Sequence, residues 1–276
     1  MHLRRLPQKP KLVLSVIGDS NCFVPKPWRT SVLKTGLIET CKGAKDCLIL
    51  YKGSTEKIST LVRDAVESFH SLCEDDNDNF ISLVGLMPET NLTPKMQSNE
   101  RNHWEKSECV IGDMFELKSR SANGKPEAYA EFYSRILESI STKETHLIRL
   151  KKDLVMRVPV LTIVAGGDLE TLNAIHKILQ KGLPVLILKG SGNASDFIAE
   201  FTESNMNVEE FIEEKTALLL GIIRQDANET LKNSMSIIKT NTSLVTVIDI
   251  ENQTNAADFK DAVVRAIIRG WSKDIK

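Results

Sequence analysis

The chain has 276 residues, enough to bury a substantial core as one large domain or two small ones. Its 41% hydrophobic and 26% charged residues match an ordinary soluble globular protein. With 36 basic against 37 acidic residues and a net charge of -1, no electrostatic excess favours nucleic acid, which argues against a general nucleic-acid binder.

The start, MHLRRLPQKPKLVLSVIGDS, sets basic residues before an apolar run. Pro7 and Pro10 interrupt it, and the run at 12–17 is too short for a secretory core of roughly 7 to 15 residues. No later apolar run approaches the roughly 20 residues that span a bilayer, so the chain reads as cytosolic, without direct membrane insertion. On that reading the sequons at Asn91, Asn193, Asn228 and Asn241 carry no glycan. Cys22, Cys41, Cys47, Cys73 and Cys109 form no CxxC pair and no zinc spacing, and they read as reduced thiols, mostly packing residues.

Seven apolar runs of strand length follow in order: KLVLSVI (11–17), CLILY (47–51), FISLVGL (80–86), CVIG (109–112), VPVLTIVA (158–165), LPVLILK (183–189) and LVTVIDI (244–250). Most are continuous rather than alternating, as strands buried on both faces of a parallel sheet require. Helix-period segments fall at 29–41, 55–72, 127–142, 169–181, 194–204, 208–222, 226–239 and 257–270. In the last, Phe259, Val263, Ala266 and Ile267 share one face, with Lys260, Asp261 and Arg265 set largely off it. Strand alternating with helix predicts an α/β fold: a doubly wound, mainly parallel sheet with helices on both faces and extra C-terminal helices. Polar stretches at 87–107 and 119–126 read as surface excursions, the second ahead of a helix that Pro126 opens. The polar patch at 143–157 is the best boundary between an N-terminal half (about 11–143) and a C-terminal half (about 158–270). The halves are expected to share one sheet, making residues 1–276 a single domain.

Ligands of such sheets sit beyond the carboxyl ends of the strands, where helix N-termini offer free N–H groups and partial positive charge. The junctions are Gly18-Asp19-Ser20-Asn21, Tyr51-Lys52-Gly53-Ser54-Thr55, Asp113 with the loop leading to the Arg135 helix, Gly166-Gly167-Asp168, and Gly190-Ser191-Gly192-Asn193. Glycine there lets the backbone turn sharply and lets a phosphate approach without meeting a β-carbon. Gly166-Gly167-Asp168 reads as a turn with Asp168 as helix cap, since that carboxylate would repel an anion. Lys189 and Lys52 place positive charge beside the other two glycine loops. Standard dinucleotide, P-loop, HExxH and GxSxG motifs are absent, and no nucleophile stands beside a base. His2, His70, His103, His146 and His176 are scattered, and Glu131 and Glu138 read as solvated helix carboxylates.

The series KLVLSVIG, KTGLIETCKGAKDCLILYKGS, TEKISTLVRDAV, VPVLTIVAGGDLETLNAI, PVLILKGSGNASDFIAEF and LVTVIDIENQTNAADFKDAVVRAII, from about Lys11 to Ile268, resembles the N-terminal homology region of melastatin-type TRP channels. That region is the SLOG (LSDAT) nucleotide-sensor domain, and PVLILKGSGNASD is the most specific piece of the resemblance. The resemblance implies a non-enzymatic sensor at the cytoplasmic face of a membrane, in a homotetrameric calcium-permeable channel. Its expected partners are other channel domains and subunits, and its expected ligand is ADP-ribose or a related nucleotide, with no cofactor or metal. By position, the ligand residues carried over are Gly18, Asp19, Tyr51, Lys52, Gly53, Ser54, Thr55, Arg135, Gly190, Ser191, Gly192 and Asn193. The loops depart from the pattern: many relatives carry a double glycine after the first strand and Thr-Gly-Gly after the second, where this chain has Gly18-Asp19 and Tyr51-Lys52-Gly53. The PGGxGTxxE motif of related nucleotide-cleaving enzymes is missing, so hydrolysis is not implied. A ligand-free assembly module of the same family is the alternative expectation.

Overall fold

The computed structural model describes residues 10–18, 27–44, 46–52, 57–72, 81–86, 129–142, 144–149, 153–221, 228–251 and 255–274. In chain order these form β1 (Leu12–Ile17), α1 (Pro27–Ala44), β2 (Cys47–Lys52), α2 (Lys57–Leu72), β3 (Ile81–Leu86) and α3 (Tyr129–Ser141). A two-stranded hairpin of β4 (Glu144–Arg149) and β5 (Asp153–Arg157) follows. The second half runs β6 (Val160–Val164), α4 (Leu169–Gln180), β7 (Val185–Lys189), α5 (Asn193–Glu203), α6 (Val208–Lys215), α7 (Asn228–Thr240), β8 (Val245–Asp249) and α8 (Ala256–Asp274).

Six strands make one sheet in the order β3-β2-β1-β6-β7-β8, every described pair parallel. The doubly wound fold expected from the strand–helix alternation is therefore present. Continuous apolar strands serve two cores at once, because successive side chains point to opposite faces. Val13 and Ile17 of β1, with Val160 and Val164 of β6, face the core under α3, α4, α5, α6 and α7. Leu12, Leu14 and Val16, with Leu161 and Ile163, face the core under α1, α2 and α8.

The expected strands at 11–17, 47–51, 80–86, 158–165, 183–189 and 244–250 each fall on an observed strand, whereas 109–112 and the excursions at 87–107 and 119–126 lie outside the described residues. Two elements differ from the sequence reading. The polar boundary at 143–157 carries the β4–β5 hairpin, with a register irregularity between His146 and Ile148. The single helix expected at 208–222 is α6 followed by a π-helical turn, Thr216–Leu220, which ends at Gly221 with φ 66.

Candidate functional site

The chain visits β1, β2 and β3 to one side and β6, β7 and β8 to the other, so the order reverses between β1 and β6. A crevice outside the carboxyl ends of those two strands is the place where such sheets bind ligands. Gly18 directly follows β1, with φ 117. A β-carbon there would stand 2.5 Å from the Ala165 carbonyl oxygen, so only glycine lets the two strand ends approach so closely.

The segment after β6 ties together the strand ends on this side of the sheet. The Ala165 amide donates to the Ile17 carbonyl at 3.0 Å. The Gly166 amide donates to Ser191 Oγ at 2.7 Å, and Ser191 Oγ donates in turn to the Leu188 carbonyl. The carbonyls of Gly166 and Gly167 accept from the Ser195 and Ala194 amides at 3.1 and 3.2 Å. Buried Ser195 Oγ also contacts the Val164 and Gly166 carbonyls. Asp168 caps α4 in a full capping box, accepting from the Thr171 amide at 3.0 Å, which is the turn and cap read from the sequence.

The glycine loop after β7 holds an anion of its own. Asp196 Oδ1 accepts from the Gly190 amide at 2.6 Å and Oδ2 from the Gly192 amide at 3.1 Å. The Ser191 amide donates to Leu188. Gly190 and Gly192 take φ 88 and 99, which aims their N–H groups at that carboxylate. Asn193, at φ 43, then opens α5. Nothing lies within 4 Å of a β-carbon built on Gly192, so this loop faces open space.

On the other side of this segment, Lys52 ends β2 with its ammonium 5.4 Å from the centre of the Tyr129 ring and 3.5 Å from Glu170 Oε2 in the first turn of α4. Arg135 lies six residues beyond Tyr129 on α3, about 9 Å along the axis at 1.5 Å per residue. Its guanidinium stands 5.8 Å from the Phe132 ring centre.

The structure thus gathers Gly18, Lys52 and the Gly190–Asn193 loop around residues 165–170, while Asp19, Gly53, Ser54 and Thr55 lie outside the described residues. The structure adds to four sequence readings here. Tyr51, carried over by position as a ligand residue, is 4% exposed and packed in the core with Ile49 and Ile58. Ser191 is buried, and its hydroxyl is engaged by Gly166 and Leu188. Lys189 pairs with Glu203, whose hydrogen bond holds its pKa above the ordinary lysine value, so its charge does not serve the glycine loop. Glu131 and Glu138 are not merely solvated: they pair with Lys177 at 3.4 Å and Lys181 at 2.9 Å, tying α3 to α4.

Sequence reasoning missed Glu170, the counter-charge of Lys52, and Asp196, the anion within the glycine loop. Asp196 closes the motif GSGNASD four residues after Gly192, one helical turn away, and that spacing was a readable signal. Among the described residues no group of three His, Cys, Asp or Glu side chains is placed to hold a metal, and no helix is long and apolar enough to cross a membrane.

A family model described as SLOG in TRPM matches residues 5–243, from before β1 to just short of β8. Curated relatives are similar to most of the chain as well. Transient receptor potential cation channel subfamily M member 5 of Homo sapiens is 22% identical over 281 residues, covering 94% of this chain and 23% of the relative. Subfamily M member 4 of Rattus norvegicus is 23% identical, covering 94% and 22%. Subfamily M member 2 of Mus musculus is 24% identical, covering 69% and 13%. The chain therefore spans less than a quarter of the length of these relatives.

Proposed function

This chain belongs to the family of SLOG domains of TRPM channels, and from that premise we propose that it is the cytosolic ligand-sensing domain at the N-terminus of a TRPM-type, calcium-permeable cation channel. The ligand is ADP-ribose or a related nucleotide, bound without chemistry. One observation carries this reading: Gly18 directly after β1 and the Gly190–Asn193 loop after β7 both meet residues 165–170 at the point where strand order reverses, with the Lys52 ammonium at the rim. A phosphate draws Lys52 from Glu170, an exposed pairing that costs little to exchange. Binding then reorders loops already tied together by Gly166, Ser191 and Ser195, and this biases contacts with neighbouring channel domains and subunits.

A second reading, an assembly module that keeps the fold without the ligand, has its own support. The Gly190, Ser191 and Gly192 amides are already satisfied by Asp196 and Leu188, which leaves that loop little to offer a phosphate.

Calorimetric titration with ADP-ribose, comparing the chain with a Lys52→Ala, Arg135→Ala double variant, separates the two. Loss of an exposed ion pair costs roughly 0.2 to 1 kcal/mol, so the variant is expected to fold, and its circular dichroism checks this. Saturable binding abolished in the folded variant supports the sensor. No heat and no rise in melting temperature at millimolar ligand gives the lead to the assembly reading.

A further inference from the structure

Cys41 and Cys47 lie at the amino edge of the sheet, opposite the crevice. Cys41 is in the last turns of α1 and Cys47 opens β2, so one short reversal of the chain brings them together. Both side chains are buried, at 2% and 0% exposure, and the Cys47 thiol donates to the Cys41 sulfur across 3.2 Å. A buried free cysteine ordinarily packs as a small apolar residue. Here two sulfurs are set against each other instead. The turn between them is held from outside. Asp46 takes φ 50, its carbonyl accepts from the Lys11 amide at 3.0 Å, and its carboxylate pairs with the Lys11 ammonium at 3.0 Å.

We propose that Cys41 and Cys47 are a modification site, a dithiol that hydrogen peroxide converts to an intramolecular disulfide. The hydrogen bond sets the order of events. Cys47 donates, and that same contact and then burial push the Cys47 thiol up, which leaves Cys41 to react first. The Cys41 thiolate attacks one peroxide oxygen, the O–O bond breaks, and the departing hydroxide takes up a proton as water, leaving Cys41 as sulfenic acid. Cys47 gives up its proton and attacks that sulfur; the S–O bond breaks, a second water leaves, and the S–S bond forms. Two thiols lose two electrons and two protons, and peroxide is reduced to two waters.

The sulfurs contract from 3.2 Å to about 2.05 Å, drawing the end of α1 onto the start of β2. Burial makes the step slow, and it selects a small neutral oxidant over a bulky one such as glutathione disulfide. The site is independent of the nucleotide reading, because it lies at the other edge of the sheet.

Peptide mapping of the folded 276-residue chain tests it. The reduced protein is treated with hydrogen peroxide, alkylated in denaturant and cut with trypsin. Cleavage after Lys34, Lys42, Lys45 and Lys52 leaves Cys41 in residues 35–42 and Cys47 in residues 46–52, so a disulfide joins two separate peptides. The expected result is a linked pair that appears with peroxide and vanishes with dithiothreitol. In Cys47→Ser, Cys41 is expected to accumulate as a sulfenic acid trapped by dimedone. A linked pair seen only when denaturant precedes peroxide overturns the proposal. So does full alkylation of both cysteines while Cys22, Cys73 or Cys109 is oxidised. Mapping the unmutated chain needs no variant, so it decides the matter even where Cys47→Ser fails to fold.

Discussion

Asp196 shows how much one side chain decides at this edge of the sheet. Its carboxylate satisfies two main-chain donors that would otherwise face the loop's interior or a ligand. Replacing it with alanine removes this acceptor, and a part-buried hydrogen bond lost without replacement costs about 1 to 3 kcal/mol. Urea denaturation of Asp196→Ala is therefore expected to show a loss in that range, with Asp196→Asn losing less because its amide oxygen still accepts. An unchanged midpoint would mean that water replaces the carboxylate at no cost. The same residue explains why the site was only partly legible. Gly190, Ser191 and Gly192 were readable as a tight loop, but whether its amides are open depends on where a carboxylate one helical turn later points. Likewise Tyr51 sits in a strand, and only the sheet's packing decides that its ring faces the α1–α2 core rather than the crevice.

At the scale of elements, strands and helices were legible because each leaves a local signature, a short continuous apolar run or a helical period. Phe259, Ala262, Val263 and Ala266 of α8 are buried, as the helical spacing of the apolar residues demands, while Lys260, Asp261 and Arg265 are exposed. The hairpin at β4–β5 was missed because its residues carry a weak alternation among many charges. The pairing of α8 with α1 was equally invisible. It rests on Gly36, where a β-carbon would stand 2.6 Å from the Phe259 ring. Gly36→Ala is expected to destabilise the chain by about 1 to 3 kcal/mol through overpacking. Combining it with Phe259→Leu should return part of that loss, because the two sites are in contact. Thermal melts of the two singles and the double give the coupling directly, and strict additivity would argue against the contact.

For the whole molecule, pH and ligand report on one folding equilibrium. His176 of α4 has its pKa lowered below 6.5, chiefly by burial and then by Lys177, with a Gln180 hydrogen bond opposing. Between the folded and unfolded values the unfolded chain binds more protons, so stability rises with pH there and is lost as pH falls from about 6.5 toward the lower folded value. Urea midpoints at pH 7.5 and pH 5.5 are expected to fall at the acid value, and His176→Gln should narrow the gap; a gap of unchanged size assigns acid sensitivity to other groups. If the sensor reading holds, ADP-ribose at 100 times its dissociation constant adds about 2.7 kcal/mol, visible as a higher melting temperature. The sequence alone determined the alternation of strands and helices, the buried face of helices such as α8 and the family resemblance, because periodicity and loop order are local properties of the chain. Only the tertiary structure decided that Asp196 fills the glycine loop, that Glu170 meets Lys52, that Gly36 receives Phe259 and that Cys41 meets Cys47. Each of these joins side chains whose separation depends on how the elements pack, and no local period encodes that.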